Sequence, residues 1–278
     1  PTFLGNIMKN LINKVVVITG AGSGMGRAYA HAFSAQGCKL ALCDLDIDGL
    51  TETVAQLDAN PADVFHQRLD VSDHEAMADF ADAVKRQLGP AHIVINNAGI
   101  EGSAKPTWAT DLSDYRRVMD VNYFGVIHGC QAFLPQLLAN NEGAIVNISS
   151  IFGLVGTPNH SDYCGSKFAV RGYTEALMAE LHTSPIQVHL VHPGGIDTNI
   201  ARQDRSRAFS DHFLSTKPEA IAAKLITCIR RNQPRLVYGN GSGKTWLGAR
   251  FVPLKWLSSI IWREMRPVID LSEYPKQP

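Results

Sequence analysis

The sequence has few cysteines and no excess of charge of either sign. Its five cysteines form no CxxC pair and leave one unmatched, which disfavours a disulfide framework or a zinc site and indicates reduced thiols in a cytoplasmic setting. Lysine and arginine together number 26, as do aspartate and glutamate, so the formal net charge is zero. A nucleic-acid-binding protein usually carries a basic excess, so we expect no nucleic-acid partner.

Long hydrophobic runs are also missing. The first stretch, PTFLGNIMKNLINK, is too short and too interrupted to predict a signal peptide or a membrane span, and we interpret it as a lead-in to the first strand. What is present is an ordinary globular composition of 278 residues, 45% hydrophobic and 19% charged. That length is enough for one large domain with a real core.

Short β-branched runs alternate with longer helical stretches. The runs are VVVIT (15–19), KLALCD (39–44), DVFHQRL (63–69), HIVIN (92–96), GAIVNIS (143–149), IQVHLV (186–191) and RLVY (235–238). This alternation predicts an α/β fold in which helices cover both faces of a parallel sheet. We expect Gly37 to end the first helix and Pro218 to begin the last core helix. The prediction is one doubly wound domain over residues 1–240, followed by an extension over 241–278.

A glycine-rich loop follows the first run, in the stretch TGAGSGMGRAYA. Gly20, Gly24 and Gly26 come after a predicted strand and open a predicted helix, a context in which the backbone can approach a pyrophosphate closely. The spacing is Gly-x-x-x-Gly-x-Gly rather than the more usual Gly-x-Gly-x-x-Gly. A tight turn without a ligand therefore stays an alternative at this point.

Asp44 lies at the end of the second run, 18 positions after Gly26. A carboxylate at about this distance accepts hydrogen bonds from an adenosine ribose and repels a 2′-phosphate. Ser23 and Leu45 offer no cation to such a phosphate. NAD is therefore favoured over NADP as the cofactor.

The stretch SDYCGSK places Tyr163 four residues before Lys167. Residues four apart on a helix share a face, so the two side chains would be neighbours if the stretch is helical. Such pairs also occur by chance on solvated helix faces. The surrounding motifs decide between the two interpretations.

Seven motifs, in order, resemble the short-chain dehydrogenase/reductase family over residues 13 to about 240. They are TGAGSGMG (19–26), LDV (69–71), NNAG (96–99), VNYFG (121–125), NISS (147–150), YCGSK (163–167) and HPGGIDT (192–198). The resemblance implies a Rossmann-type sheet of seven parallel strands in the order 3-2-1-4-5-6-7. It also implies hydride transfer between a nicotinamide cofactor and an alcohol or ketone, and assembly as a homodimer or homotetramer.

The resemblance assigns catalysis to Asn122, Ser150, Tyr163 and Lys167. A phenol of pKa about 10 is a poor base near neutrality, so we expect the Lys167 ammonium, with the charge of oxidised nicotinamide, to favour the phenolate of Tyr163. Ser150, with its neighbour Ser149 as the alternative, would hold the substrate oxygen. Asn122 would hold a water that links Lys167 to solvent.

The resemblance also assigns the cofactor contacts. They are Gly20, Ser23, Gly24, Met25, Gly26, Asp44, Asp70, Val71, Asn97, Ala98, Gly99, Tyr163, Lys167, Pro193, Gly194, Ile196 and Thr198. Asp70 would accept from the adenine amino group, a helix cap being the alternative. Asn96 would help shape the strand end that faces the cofactor, a turn residue being the alternative. No metal site is expected, because His189 and His192 lack carboxylate or cysteine partners at metal-binding spacing.

The loop after the sixth run, at about 199–217, is expected to set substrate specificity together with residues near 101, 151 and 157, and is a candidate lid. Its Arg202, Arg205 and Arg207 would recognise an acidic group or simply be solvated. His160 is either a substrate contact or an exposed residue at a helix entry. The stretch GNGSGKT (239–245) lacks the spacing of a nucleotide-triphosphate loop, so we reject that interpretation.

The extension over 241–278 is rich in apolar and basic residues and holds three of the four tryptophans. We expect helices that pack on the parent domain or on a second subunit, with a peripheral membrane contact as the alternative. The expected function is an NAD-dependent oxidoreductase that interconverts a hydrophobic secondary alcohol and a ketone. The alternative is a redox sensor or scaffold that binds NAD without turnover.

Overall fold

The structure is a computed structural model that describes residues 8–200 and 203–275. Seven strands form one sheet in which every pairing is parallel. They are β1 (Val15–Thr19), β2 (Lys39–Asp44), β3 (Val64–Arg68), β4 (Ile93–Asn96), β5 (Gly143–Ile148), β6 (Ile186–Pro193) and β7 (Arg235–Tyr238). Their order is β3-β2-β1-β4-β5-β6-β7, which confirms the predicted doubly wound topology.

Helices cover both faces of the sheet. They are α1 (Gly24–Ser34), α2 (Ile47–Ala55), α3 (His74–Leu88), α4 (Leu112–Met119), α5 (Gly125–Ala139), α6 (Ser161–Glu180), α7 (Arg207–Phe213), α8 (Pro218–Arg230), α9 (Ser242–Phe251) and α10 (Leu254–Met265). Pro218 begins α8 as predicted. Gly37 has φ +72° three residues after α1 ends, as expected for a left-handed residue that follows a helix.

Two apolar cores lie on opposite faces of the sheet. Alternate residues of β1 point to opposite sides, so Val16 and Ile18 pack against α1, α2 and α8. Val15 and Val17 pack against α3, α5 and α6. All five residues of β1 are buried, which explains why its sequence is continuously apolar rather than alternating.

The segment after β7 folds back onto the parent domain. Pro253 separates α9 from α10, and the residues after α10 return to the region of the 101–110 loop. There the Trp108 Nε1 donates to the Glu273 carbonyl at 2.8 Å, and the Tyr274 hydroxyl donates to Asn159 Oδ1 at 2.7 Å. The extension is therefore helical and packs on its own chain. Contact of its outer face with a second subunit or a lipid surface stays a prediction.

Membrane-spanning helices and metal-binding clusters are both absent from the residues that the structure describes. None of the helices there is both long enough and apolar enough to cross a membrane. Within the same ranges, 8–200 and 203–275, no three histidine, cysteine, aspartate or glutamate side chains are grouped to hold a metal ion.

Candidate active site

The glycine-rich loop leaves the carboxyl end of β1 and enters α1. A Cβ on Gly26 would lie only 1.9 Å from the Gly20 carbonyl oxygen, so a side chain there would push the loop apart. Gly20 and Gly24 have φ values of +67° and +51°, which favour glycine. Asn97, which follows β4, steadies the loop by donating through Nδ2 to the Thr19 and Gly20 carbonyls at 2.9 and 3.1 Å. The result is a bare backbone surface at a helix N-terminus, of the kind that accepts a phosphate group.

Asp44 lies beside this loop, as predicted. Its carboxylate accepts from the Gly22 amide at 2.7 Å and from the Asp46 amide at 2.9 Å. A Cβ on Gly22 would lie 2.9 Å from Asp44 Oδ2, so Gly22 is a further glycine that the loop requires. The glycine-rich loop therefore does make a tight turn, and this turn places the Asp44 carboxylate next to the loop backbone.

Arg27 is a cation near the loop that the sequence reasoning did not consider. It is the first residue after the glycine motif, so its position was readable from the sequence. Its guanidinium donates to the Gly22 and Gly49 carbonyls and pairs with Glu52 at 2.8 Å. Its Nε also donates to the Thr53 hydroxyl at 2.9 Å. Because four acceptors already hold it, Arg27 braces α1 against α2.

Two of the predicted cofactor contacts have other partners. Asp70 Oδ1 accepts from the amide of Ser72 at 2.9 Å and from its hydroxyl, which forms a turn. Asn96 points away from the glycine loop and is buried, and its Nδ2 donates to Asn147 Oδ1 at 2.8 Å. Neighbouring residues at a strand end point to opposite faces, so the Asn96 side chain lies toward Gly129 of α5 while Asn97 takes the loop side. A role of Asn96 in shaping the strand end that faces the cofactor stays a prediction.

The residues that follow β6 close over the glycine loop. The Gly194 amide donates to the Tyr238 carbonyl at 2.7 Å, and Pro193, Gly194, Ile196 and Thr198 all line the same cavity. A Cβ on Gly24 would lie 3.1 Å from the side chain of Thr198. The predicted contacts on the two sides of the cleft are therefore close together.

Tyr163 and Lys167 lie on one face of α6, which begins at Ser161. The Lys167 Nζ is 5.6 Å from the centroid of the Tyr163 ring, and it donates to the Ile148 carbonyl at the end of β5 at 3.1 Å. Lys167 is buried. The four-residue spacing of Tyr163 and Lys167 therefore places a buried amine beside a phenol.

The two serines that follow β5 have different partners. The Ser149 hydroxyl donates to the Lys167 carbonyl at 2.8 Å, so it anchors α6. The Ser150 hydroxyl accepts from the Phe152 amide at 3.1 Å, is hydrogen bonded to Tyr163, and lines the cavity. This contact with the phenol favours Ser150 over Ser149 as the residue that meets a substrate oxygen.

Asn122 lies in a five-residue π-helical turn, Asp120–Phe124, between α4 and α5. Its Oδ1 accepts from the Ile100 amide at 2.8 Å, and its Nδ2 donates to the Ile100 carbonyl at 3.0 Å and to Ser166 Oγ at 3.1 Å. A Cβ on Gly99 would lie 3.2 Å from Asn122 Oδ1 and 3.4 Å from Lys167 Nζ. Gly99 therefore lets the amide and the amine approach each other.

Burial sets the protonation of the tyrosine and the lysine. It raises the pKa of Tyr163 to about 12, against the opposing effect of the hydrogen bond from Ser150, and the charge of Glu101 raises it further. Burial also lowers the pKa of Lys167 to about 8. The expected phenolate is therefore not favoured by the chain alone, because burial disfavours the charged form of both groups.

Two positioning contacts were not foreseen. Asp162 accepts from the Tyr163 amide through Oδ1 at 2.8 Å and from the Ser103 amide through Oδ2 at 2.6 Å. His192 Nδ1 lies 2.8 Å from the Ser150 carbonyl. The sequence could have indicated the positioning role of Asp162, because it is an acid in the first turn of a predicted helix. The partner of His192 could not be predicted in this way, because it depends on which strands pair.

A cavity of about 960 Å³ extends outward from Ser150, Tyr163 and Lys167. His160 lines it and is buried, with its ring 5.4 Å from Phe152 and 5.3 Å from Phe209. The alternative of an exposed histidine is therefore wrong. Asn240 and Lys244 of the GNGSGKT stretch also line the cavity, which places that stretch at the substrate end of the cleft.

Arg205 and Arg207, the arginines of the loop at 199–217 that the structure describes, do not form a common anion site. Arg205 pairs with Asp270 at 3.2 Å and with Glu273 at 3.7 Å, both in the carboxyl-terminal extension. Arg207 is exposed and pairs with Asp204. Arg202 lies outside the described residues. The side chain of Arg205 therefore ties the loop to the extension.

Comparisons with known proteins agree with this geometry. The family model described as short chain dehydrogenase matches residues 14–208. The chain is 43% identical over 244 residues to "Putative oxidoreductase SadH" of Mycobacterium tuberculosis, covering 84% of this chain and 88% of that protein. The cyclohexanol dehydrogenase of Acinetobacter is 35% identical over 193 residues, or 69% of this chain and 77% of the relative.

This chain belongs to the short-chain dehydrogenase family. A solved short-chain dehydrogenase/reductase from Burkholderia phymatum, in complex with NAD, superposes with a TM-score of 0.77 and 31% identity, covering 82% of this chain and 89% of that one. Levodione reductase superposes with a TM-score of 0.75 and 28% identity, covering 84% and 98%. The short-chain dehydrogenase described here is an oxidoreductase by family.

Proposed function

We propose that this short-chain dehydrogenase interconverts a secondary alcohol and a ketone, with Tyr163 as general acid and base and NAD as cofactor. The observation that carries the proposal is one cleft in which Ser150, Tyr163 and Lys167 meet at the carboxyl ends of the strands. The glycine-rich loop lies at the other end of the same cleft. Binding alone would not require a buried lysine beside a phenol, so catalysis is the better account of the arrangement.

A dinucleotide fits the cleft. The approach of Gly26 to the Gly20 carbonyl leaves a backbone surface on which a pyrophosphate can lie, at the N-terminus of α1. Asp44 would hold the adenosine ribose and disfavour a 2′-phosphate, which is why we propose NAD rather than NADP. When bound, the nicotinamide ring supplies the hydride acceptor in oxidation and the hydride donor in reduction.

The chain's own residues handle the proton. Ser150 would hold the substrate oxygen against the Tyr163 hydroxyl, which takes the alcohol proton in oxidation and returns it in reduction. The pKa of Tyr163 near 12 keeps the phenol protonated at neutral pH, and that form suits ketone reduction. Lys167 loses its charge as the pH rises above its pKa of about 8. Formation of the Tyr163 phenolate during oxidation would then depend on the positive charge of oxidised NAD.

A panel of alcohols and ketones tests this proposal. The protein is incubated with NAD and a series of secondary alcohols, and with NADH and the matching ketones, while absorbance at the band of reduced nicotinamide is followed. Growth of the band with an alcohol, and its loss with a ketone, are expected. Saturable NAD binding in calorimetry without turnover of any substrate would instead support a redox sensor or scaffold.

Two expectations about context accompany the proposal. We propose a cytoplasmic location, on the basis of five free and buried cysteines, and assembly as a homo-oligomer. Leu254 and Trp256, both in the first turn of α10, are exposed apolar side chains and support the second expectation, because exposed apolar surface often marks an interface.

A further inference from the structure

The cavity continues well beyond the groups that would perform the chemistry. Its inner end holds Ser150, Tyr163 and Lys167, and its outer walls come from α7, α9 and α10. Its volume of about 960 Å³ includes the space beside Met25, Asn97, Gly99 and Thr198 that the proposed cofactor would fill, and the space between the outer helices is additional to that part. A short alcohol would occupy only the inner part.

Helix α10 covers the cavity with one face. The lining residues Leu257, Ile261 and Met265 are four residues apart along the helix, so they form a single apolar stripe. Ser259, two residues from both Leu257 and Ile261, lies on the opposite side of the helix, does not line the cavity and is exposed. The helix therefore has an inner apolar face over the cavity and a separate outer face.

The cavity opens at an apolar rim. Leu247 and Phe251 of α9 and Ile260 of α10 line the cavity and are also 51%, 70% and 43% exposed. Residues that line a cavity and reach solvent lie at its mouth. A ligand chain longer than the cavity would leave it between apolar side chains.

The charged residues that line the outer cavity do not favour an ionic ligand. The outer helices contribute one cation, Lys244, and one anion, Glu264, to the lining. The other acid of the lining, Glu101, interacts with Tyr163 at the inner end. The lining that remains on α7, α9 and α10 is mainly aliphatic and aromatic, and it includes Phe209 and Phe213.

We propose that the substrate is a secondary alcohol, or the matching ketone, attached to an extended aliphatic chain. The oxygen lies at Ser150 and Tyr163, and the chain runs outward between α7 and the α9–α10 pair to the rim. This inference rests on the proposed function for its reaction and on the cavity walls for its chain. It names lipid-like alcohols and ketones as the substrate class.

A chain-length series tests the proposal. The probes are 2-butanol, 2-hexanol, 2-octanol and 2-decanol, each with NAD. We expect kcat/KM to rise roughly fourfold per added methylene, which is the gain from burying one methylene group. The gain should appear mainly in KM, because the chain is bound alike in ground and transition states. A flat series, or a decline beyond 2-hexanol, would overturn the inference while leaving the proposed reaction intact.

Binding separates failure of the inference from failure of the proposed function. Calorimetry measures the affinity of the protein for 2-decanone and 2-butanone without any turnover. Tighter binding of 2-decanone by roughly 10²-fold or more, with no alcohol oxidised and no ketone reduced, would support the chain site and refute the reaction. Equal affinity for the two ketones would refute the chain site.

A matched pair of variants on α10 locates the chain. Ile261→Asn, on the lining face, should lower the ratio of kcat/KM for 2-decanol over 2-butanol by roughly tenfold or more, because a polar group enters the apolar wall. Ser259→Asn, on the outer face, should leave that ratio unchanged. If Ile261→Asn does not fold, Ile261→Val removes one methylene and should lower the ratio roughly fourfold. Equal effects of the two asparagine variants on the ratio would overturn the assignment.

Discussion

Tyr163 and Lys167 illustrate how burial alone sets chemistry at the residue scale. Desolvation raises the pKa of the phenol to about 12 and lowers that of the amine to about 8, so both groups tend toward their neutral forms. The hydrogen bond from Ser150 opposes this for the tyrosine. A positive charge added to the cleft would favour the phenolate, which links base strength to the bound cofactor.

Substitution of the phenol tests its role. Tyr163→Phe keeps the ring that packs 6.2 Å from Phe152 and removes only the hydroxyl. Turnover should fall by roughly 10²–10⁴, the usual loss for a general acid or base, while NAD affinity measured by calorimetry stays nearly constant. Tyr115→Phe, on α4 and outside the cavity, is the matched control and should keep full turnover. Undiminished turnover in the Tyr163 variant would remove the tyrosine from its role.

Substitution of the acid beside the glycine loop tests cofactor choice. Asp44→Arg replaces a repulsive carboxylate with a cation near the expected ribose position, so the ratio of kcat/KM for NADP over NAD should rise roughly tenfold or more. Asp48→Arg makes the same charge change on the exposed surface of α2 and should leave the ratio unchanged. A wild-type protein that already prefers NADP would contradict the assignment.

At the scale of elements, the sequence predicted the sheet better than it predicted the cavity. The bounds of β1, β2 and β7 agree with the runs at 15–19, 39–44 and 235–238, because buried parallel strands are continuous apolar stretches between turn residues. The strand order came from the family resemblance. Asn96 shows what the sequence could not predict, because the direction of its side chain depends on which face of β4 packs against α5.

The carboxyl-terminal extension could be predicted as helical but not placed. Its position depends on contacts between residues far apart in the chain, such as Trp108 with Tyr274 and Asn159 with Asp270. Nothing local to residues 241–278 encodes those partners. The same holds for Arg205, whose acidic partners lie more than sixty residues further along.

Removal of one ring tests how the extension is held. Tyr274 packs 5.0 Å from Trp108 and 5.5 Å from Trp262 and donates to Asn159. Two aromatic pairs and one hydrogen bond should together contribute about 2–3 kcal/mol, so Tyr274→Ala should speed hydrogen exchange over residues 254–275 by roughly 30-fold to 160-fold. Tyr274→Phe keeps the ring and both of its aromatic contacts, so it should change the exchange rate much less. Equal exchange in wild type and in Tyr274→Ala would mean that other contacts hold the segment.

At the scale of the whole molecule, the amino-terminal end of α10 presents an exposed face with apolar side chains. Leu254 and Trp256 are 80% and 69% exposed although the helix packs on its own chain. We expect this face to join two subunits, so that a variant with Leu254→Glu and Trp256→Glu has a smaller mass by light scattering than the wild type. Wild-type protein that is monomeric and co-sediments with anionic vesicles would instead favour the membrane contact.

Two buried histidines make the global stability of the fold depend on pH. Burial lowers the pKa of His189 and of His192 to about 4, whereas an unfolded histidine titrates near 6.5. His189 Nδ1 lies 2.7 Å from the Gln233 carbonyl, and His192 Nε2 has no hydrogen-bond partner among the described residues. A proton on that nitrogen would be buried without an acceptor.

The sign of the pH effect follows from the lowered pKa values. Between pH 6.5 and pH 4 the unfolded chain binds more protons than the folded one, so stability is full above pH 6.5 and is lost as the pH falls through this window. Each histidine should cost about 2 kcal/mol between pH 7 and pH 5, measured as the free energy of unfolding in urea. His192→Asn keeps an amide that can donate to the Ser150 carbonyl and should remove about 2 kcal/mol of this pH dependence. His66→Gln, at an exposed position of β3, should leave it unchanged, and an equal pH dependence in all three proteins would show that other groups govern acid unfolding.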